Sequence, residues 1–206
     1  MVELESVELQ AQQKQDLFAL YLIGSNGTFL DIGCGHPVWS NNTVFLENLG
    51  WTGMLFDINL DSEAELAVKE RTSPVTCLDV TTTEFIETIK TYGVSNFDYI
   101  SLDIDKKGFE CLELLIKNEI TFKCMTFEHD YYRYQDHLKT PSKELLETSG
   151  YHPLFENVEH EFGFPFEDWW IDPSQFPQSL LDLSHSDIHY LDCISILEVN
   201  DAIASR

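Results

Sequence analysis

The chain has 206 residues, 43% of them apolar, a length and composition that suit one globular domain with a full hydrophobic core. Its 36 acidic and 12 basic side chains give a formal net charge of −24, which argues against a nucleic-acid substrate because such a surface repels phosphates. The sequence contains no apolar run long enough to cross a membrane, no secretion signal and five scattered cysteines without a CxxC spacing, so we expect a cytoplasmic protein with reduced thiols and no membrane partner.

Short apolar segments alternate with helical patterns along the first two thirds of the chain. Residues 1–27 form a predicted helical lead-in, with a helix over residues 8–23. Five strands are then predicted at residues 29–32, 54–56, 75–78, 97–102 and 122–127. Helices are predicted at residues 44–49, 62–71, 109–116 and 140–149, and a further helix opens at a capping box formed by Thr81 and Glu84. This alternation predicts an α/β protein with a parallel sheet and helices on both faces, and such sheets bind ligands at the carboxyl ends of their strands.

The last third of the chain follows a different pattern. Residues 151–158 and 190–199 are interpreted as a closing antiparallel pair of strands. Between them, residues 159–186 are interpreted as an insertion and not as a regular element, because the aromatic stretch at residues 161–177 has three prolines and no helical period. Long loops in compact domains are often functional, so we expect this stretch, with the adjacent Trp169 and Trp170, to cover a bound substrate.

The first two strands and the helix between them carry a ligand-binding pattern. The first strand leads into Asp31-Ile-Gly33-Cys-Gly35, and the second strand stops on Asp57. Glycines at these positions let the backbone approach a ligand at the start of the following helix. Asp57 is placed to accept hydrogen bonds from a ribose diol. A dinucleotide-binding loop would need a third glycine where this chain has Val38, which disfavours an NAD-dependent oxidoreductase.

In this combination the residues resemble motif I of the class I S-adenosylmethionine (SAM) methyltransferases. The stretch GHPVWSNNTVFLENLGWTGMLFDIN, residues 35–59, is similar to the FkbM-type branch of that superfamily. The resemblance covers residues 28–155. It implies a class I methyltransferase (Rossmann-like) sandwich, with a mostly parallel seven-stranded sheet, an antiparallel last strand and helices on both faces. It also implies methyl transfer from SAM, usually to a hydroxyl oxygen.

The resemblance assigns residues to the cofactor as well. The cofactor-binding residues that it implies are Asp31, Gly33, Cys34, Gly35, Asp57, Ile58, Leu78, Asp79, Val80 and Asp103. The fourth strand departs from the family pattern, because Asp105 stands where the family has a glutamate and Lys106-Lys107 precede Gly108. This departure leaves open a second function, a module that binds SAM or a nucleoside without catalysis.

Each of the five predicted parallel strands stops on an acid, which predicts an acidic rim around the site. Methyl transfer to a hydroxyl requires that its proton be removed by a base, or that a metal ion lower its pKa. The candidate catalytic residues are His129 as the favoured base, Asp103 and Glu128; the candidate Mg²⁺ ligands are Asp103, Asp105, Glu128 and Asp130. A hydrogen-bonded loop histidine and a solvated acidic rim are the alternatives. We expect a small-molecule or carbohydrate acceptor without negative charge, and the sequence makes no prediction of oligomeric state.

Overall fold

The computed structural model describes residues 9–204, and the beginning of the predicted lead-in lies outside this range. Within it, eight strands form one sheet in the order β3-β2-β1-β4-β5-β7-β6-β8. The strands are β1 (Thr28–Ile32), β2 (Thr52–Asp57), β3 (Val75–Cys77), β4 (Asn96–Leu102), β5 (Thr121–Glu128), β6 (His152–Glu159), β7 (Pro165–Ile171) and β8 (His185–His189). Strands β1 to β5 are parallel, β7 is antiparallel to both β5 and β6, and β8 is parallel to β6.

Helices cover both faces of this sheet. They are α1 (Gln15–Ile23), α2 (Val44–Asn48), α3 (Ser62–Ala67), α4 (Thr83–Thr91), α5 (Gly108–Lys117), α6 (Tyr131–Tyr134), α7 (Lys139–Thr148), α8 (Gln178–Leu181) and α9 (Tyr190–Ala204). Successive strand residues point to opposite faces, so Phe29 packs with α1 and α9 whereas Leu30 packs with α4 and α5. The predicted α/β sandwich is therefore confirmed. None of the helices within the described residues has the length and apolar character of a membrane span.

The starts of helices α3 and α4 differ in how side chains cap them. Asp61 caps α3, because its carboxylate accepts hydrogen bonds from the backbone N–H groups of Glu63 and Ala64. The predicted capping box at the start of α4 is wrong. That helix begins at Thr83, and Asp79 instead accepts hydrogen bonds from the N–H and hydroxyl of Thr81.

The interpretation of residues 161–177 as a stretch without a regular element is wrong, because residues 165–171 form β7 between β5 and β6. Trp169 and Trp170 are buried in the two hydrophobic cores on opposite faces of the sheet. Two buried acids, Glu167 and Asp168, interrupt the apolar pattern that would otherwise indicate a central strand. The tryptophans are therefore core residues and do not cover a substrate.

The predicted strand at residues 190–199 is also wrong, because this segment forms α9. Cys193, Ile194 and Leu197 are buried at the spacing of one helical face and pack in the same core as α1. The antiparallel partner of β6 is consequently β7. Strand β8, which the sequence did not indicate, extends the sheet beyond β6.

Candidate functional site

A glycine loop at the carboxyl end of β1 wraps around the end of β2. The N–H groups of Gly33 and Cys34 both donate to the carbonyl oxygen of Phe56, at 2.8 and 3.1 Å. The N–H of Gly35 donates to the Asp57 carboxylate at 2.8 Å. The other oxygen of this carboxylate accepts the N–H of the second residue after it, at 2.9 Å. The structure thus brings four of the predicted cofactor-binding residues together in one hydrogen-bonded unit.

Glycine is required at Gly33 and at Gly35 for different structural reasons. A Cβ atom at Gly33 would lie 1.7 Å from the carbonyl oxygen of Asp103, so only glycine lets the ends of β1 and β4 pack this closely. Gly35 has a φ of 55°, and among the described residues no atom lies within 4 Å of where its Cβ would be. Its backbone is therefore open to a ligand. An uncovered backbone beside a carboxylate is suited to binding a polar ligand.

Asp31 lies beneath the loop and organises it from inside. The residue is buried, and its carboxylate accepts hydrogen bonds from the Thr43 hydroxyl at 2.7 Å and the Asn41 amide at 3.0 Å. Burial raises the pKa of Asp31 to about 6, against the opposing effects of the Thr43 hydrogen bond and the Arg71 charge. Arg71, which the sequence did not single out, donates to Asn41, Thr43 and Glu47. This network fixes the segment between the loop and α2.

Four more of the predicted cofactor-binding residues follow β2 and β3, which are adjacent and parallel. Asp57 pairs in register with Cys77, so Ile58 and Leu78 leave neighbouring strand ends. The Ile58 side chain is 68% exposed beside the loop. Asp79 is also exposed, and its hydrogen bonds from Thr81 lower its pKa. Val80 is buried in the core, so Ile58 and Leu78 provide the accessible apolar surface at this end of the cleft.

Asp103 and Glu128 form a carboxyl pair at the ends of β4 and β5. Glu128 is half-buried, and burial raises its pKa. The neighbouring Asp103 carboxyl raises the pKa of Glu128 further. Asp103 is exposed to the solvent of the cleft, so we assign Glu128 as the protonated member of the pair. The pair therefore retains one ionised carboxylate.

His129 follows this pair but is turned into the protein. Its ring is fully buried, with Nδ1 accepting the N–H of Tyr131 at 3.2 Å and Nε2 lying 3.3 Å from the Asp168 carboxylate. Although Nε2 lies close to this carboxylate, the geometry is not that of a hydrogen bond, and Nε2 has no hydrogen-bond partner among the residues that the structure describes. A general base has to reach the acceptor's proton. In this conformation the carboxyl pair is more accessible than His129.

The four predicted Mg²⁺ ligands do not form a metal cluster. Arg133 occupies two of them, because its guanidinium donates to Asp130 at 2.9 Å and lies 3.3 Å from Asp105. Asp105 also accepts the hydroxyl of Tyr134 at 3.0 Å. Over the part of the chain that the structure describes, no group of three or more His, Cys, Asp or Glu side chains is positioned to hold a metal ion. The Mg²⁺ prediction therefore lacks structural support.

A cavity of about 670 Å³ is lined by Glu128 of the carboxyl pair. Its aromatic lining comes from Tyr132 in α6, from the turn between β6 and β7 (His160, Phe162 and Phe164) and from Phe166 at the start of β7. The N–H of His160 donates to the Phe164 carbonyl, and the N–H of Gly163 donates to the His160 carbonyl, which closes this turn. The volume is that of a small-molecule pocket. The aromatic stretch thus contributes to a cavity through its phenylalanines.

The carboxyl pair connects the loop and the cavity. The backbone of Asp103 packs against Gly33, and its N–H donates to the Ile32 carbonyl at 2.9 Å. Glu128 lines the cavity. A group bound at the loop and a molecule bound in the cavity would therefore meet at these two carboxyls. Ionisable residues at such a junction are suited to proton transfer.

Comparison with known proteins identifies the fold. The chain matches no protein-family model and no curated protein. Among solved structures, it is similar to an O-methyltransferase from Bacillus cereus in complex with S-adenosylhomocysteine (SAH), with 13% identity, a TM-score of 0.57 and coverage of 81% of this chain and 83% of the other. It is similar to magnesium protoporphyrin IX methyltransferase from Synechocystis PCC 6803 with bound SAM, with 13% identity, a TM-score of 0.54 and 78% of each chain covered.

A third similar structure is the 1,6-didemethyltoxoflavin-N1-methyltransferase from Burkholderia thailandensis, with 12% identity, a TM-score of 0.51 and coverage of 79% of this chain and 77% of the other. The protein thus has the class I SAM-dependent methyltransferase fold. Its first seven strands provide the predicted mostly parallel sheet with one antiparallel strand, and β8 is added at the edge.

Proposed function

We propose that this protein is a SAM-dependent methyltransferase that methylates a hydroxyl group of a small molecule or sugar precursor. The observation that carries the proposal is the glycine loop within a methyltransferase fold, which is open at Gly35 and is hydrogen-bonded there to the Asp57 carboxylate. The resemblance of residues 35–59 to the FkbM-type branch supports the hydroxyl acceptor.

The cleft offers a matching group for each part of SAM. The Gly33 to Gly35 backbone would hold the methionine end, and Asp57 would accept the ribose hydroxyls with the lone pairs that the Gly35 N–H leaves free. Ile58 and Leu78 would contact the adenine. Bound SAM would supply an electrophilic methyl group: the acceptor oxygen would bond to the methyl carbon as the carbon–sulfur bond breaks, and SAH would leave. The chain's main contribution to such a reaction is positioning.

The chain also removes a proton in this proposal. An acceptor seated in the cavity would direct its hydroxyl towards Asp103 and Glu128, and the hydroxyl proton would pass to the ionised Asp103 carboxylate. Glu128, which keeps the shared proton, would donate a hydrogen bond that holds Asp103 in place. His129 remains a second candidate only if its ring leaves the buried position seen here.

A non-catalytic SAM-binding module is the second candidate. The observation in its favour is that Asp105, where the family has a glutamate, contacts Arg133 and Tyr134 and has a φ of 49°. This residue is thus engaged away from the glycine loop, and the family's role for it would be lost.

Turnover with isotopically labelled SAM separates the two functions. The protein is incubated with a cell extract, and SAH and labelled products are followed by mass spectrometry. A methyltransferase produces both. Asp103→Asn should lower turnover by about 10²–10⁴-fold while SAH affinity stays within about threefold, because a missing base affects the chemical step. SAH binding without any labelled product would favour the module.

A further inference from the structure

The cavity beside Glu128 exposes large aromatic side chains. Tyr132, Phe162 and Phe164 are 48%, 73% and 52% exposed, and they surround one concave space. The ring centroids of Tyr132 and Phe164 lie 6.0 Å apart, and His160 packs edge-on against both. Clustered exposed aromatic rings are costly in water unless a ligand covers them, so this lining indicates a binding site.

Apart from His160, the ionisable side chains of the same lining are all acidic. Glu128, Asp130 and Glu161 face the cavity, and the lining that the structure describes contains no lysine or arginine. The nearby Arg133 is held by Asp130 and Asp105, which offset its charge. The whole chain adds a field of the same sign, with a net charge of −24. The cavity therefore disfavours anions and favours cations.

One more lining residue has an unmet hydrogen bond. The side-chain oxygen of Gln13 is buried and has no hydrogen-bond partner among the described residues. Buried polar atoms are normally paired, so this acceptor fits a ligand that brings an N–H or O–H donor. Carboxylates and amide oxygens are acceptors, and together they suit a ligand rich in donors.

From these observations we propose that the acceptor is a small cation, a molecule with a protonated amine in addition to the hydroxyl that is methylated. This inference rests on the proposed function, because it takes the cavity as the acceptor site. The amine lies over the faces of Tyr132 and Phe164, where a ring quadrupole attracts positive charge, and within the field of Glu161 and Asp130. A neutral sugar would use the rings but not the carboxylates.

A matched set of phenols tests the charge preference. Tyramine, 4-ethylphenol and 4-hydroxyphenylacetate share a ring and hydroxyl but carry a cationic, neutral and anionic arm. Their dissociation constants are measured by calorimetry at about pH 8, with and without SAH. Tyramine should bind at least about fivefold more tightly than 4-ethylphenol, and 4-hydroxyphenylacetate should bind most weakly.

Charge reversal supplies the matched control. Glu161→Lys places a positive charge at the cavity and should lower the ratio of the 4-ethylphenol dissociation constant to the tyramine dissociation constant by at least about two thirds. Glu87→Lys, on the exposed face of α4 outside the cavity, should leave this ratio unchanged. Equal affinities for the three phenols, tighter binding of the anion, or no tyramine binding up to about 10 mM would overturn the proposal. SAH affinity, measured in the same titrations, reports separately on the proposed methyltransferase function.

Discussion

Replacing Glu167 by glutamine tests whether a buried carboxyl in β7 makes the fold sensitive to alkaline pH. Glu167 is 3% exposed, and it accepts hydrogen bonds from the Trp169 indole at 2.7 Å and the Gln15 amide at 3.4 Å. Burial raises the pKa of this carboxyl from its ordinary value of 4.5 to about 8. The folded protein therefore holds this proton over a pH range in which the unfolded chain has lost it.

The sign and size of the effect follow from this difference. The folded state favours the protonated form of Glu167. The contribution of this protonated carboxyl to the free energy of unfolding is therefore fully present below the unfolded pKa and is lost as the pH rises towards about 8. The slope is about 1.4 kcal/mol per pH unit, which amounts to about 3 kcal/mol between about pH 5.5 and pH 8. Glutamine stays neutral and can still accept the Trp169 N–H, so Glu167→Gln should not lose this stability.

Urea unfolding of both proteins at several pH values provides the assay. The free energy of unfolding of the variant, relative to that of the wild type, should rise by about 3 kcal/mol from about pH 5.5 to pH 8. Other buried acids titrate in both proteins and cancel in the difference. Glu87→Gln, an exposed change on α4, should give a constant difference. Parallel stability curves for Glu167→Gln and the wild type would refute the reasoning.

Four further substitutions address the cofactor loop and the aromatic stretch. Asp57→Ala should weaken SAH binding by about 1.5–3 kcal/mol in calorimetry, because charge-assisted hydrogen bonds to the ribose are lost; unchanged affinity would remove Asp57 from the site. Trp169→Ala should lower the free energy of unfolding by about 3–5 kcal/mol. Phe164→Ala should change the free energy of unfolding by less than about 1 kcal/mol and should raise the acceptor KM. A larger loss of stability for Phe164→Ala than for Trp169→Ala would contradict the assignment of Trp169 to the core and Phe164 to the cavity. Gly33→Ala should cost more than about 1 kcal/mol of stability and also reduce SAH affinity, since its Cβ would meet the Asp103 backbone; wild-type behaviour would exclude that close packing.

The parallel half of the fold was predictable from the sequence because its signals are local. Each predicted strand from residues 29–127 is an apolar run that stops at an acid or a turn, and all five are confirmed as β1 to β5. The glycine loop was predictable for the same reason, since the loop and Asp57 lie on consecutive elements of one strand-helix-strand unit.

The late part of the chain depends on contacts between distant residues. The sequence pattern at β7 is hidden by two buried acids, and their partners come from elsewhere: Gln15 in α1 for Glu167, and the backbone N–H of Asn157 at 2.7 Å for Asp168. A polar residue whose partner lies far along the chain looks like a surface residue. The β-branched residues within 190–199 likewise favour a strand by local preference, but this segment packs in the same core as α1 and forms a helix.

The carboxyl pair illustrates what only the sheet arrangement can supply. Asp103 and Glu128 were recognised individually as strand-end acids, but they become neighbours because β4 and β5 are adjacent and in register. The same arrangement turns His129 inwards, where the ring faces Asp168. Whether the side chain at a strand end faces the cleft or the interior depends on the backbone conformation just after the strand. The pattern of apolar and polar residues does not specify that conformation.

Ligand-dependent thermal stability tests the central claim most directly. The unfolding temperature of the wild type is measured with SAM, SAH and NAD, each in large excess, and calorimetry gives the dissociation constants. SAM and SAH should raise the unfolding temperature and bind with dissociation constants of about 1–100 μM, whereas NAD should do neither. Stabilisation by NAD together with no response to SAM or SAH would contradict it.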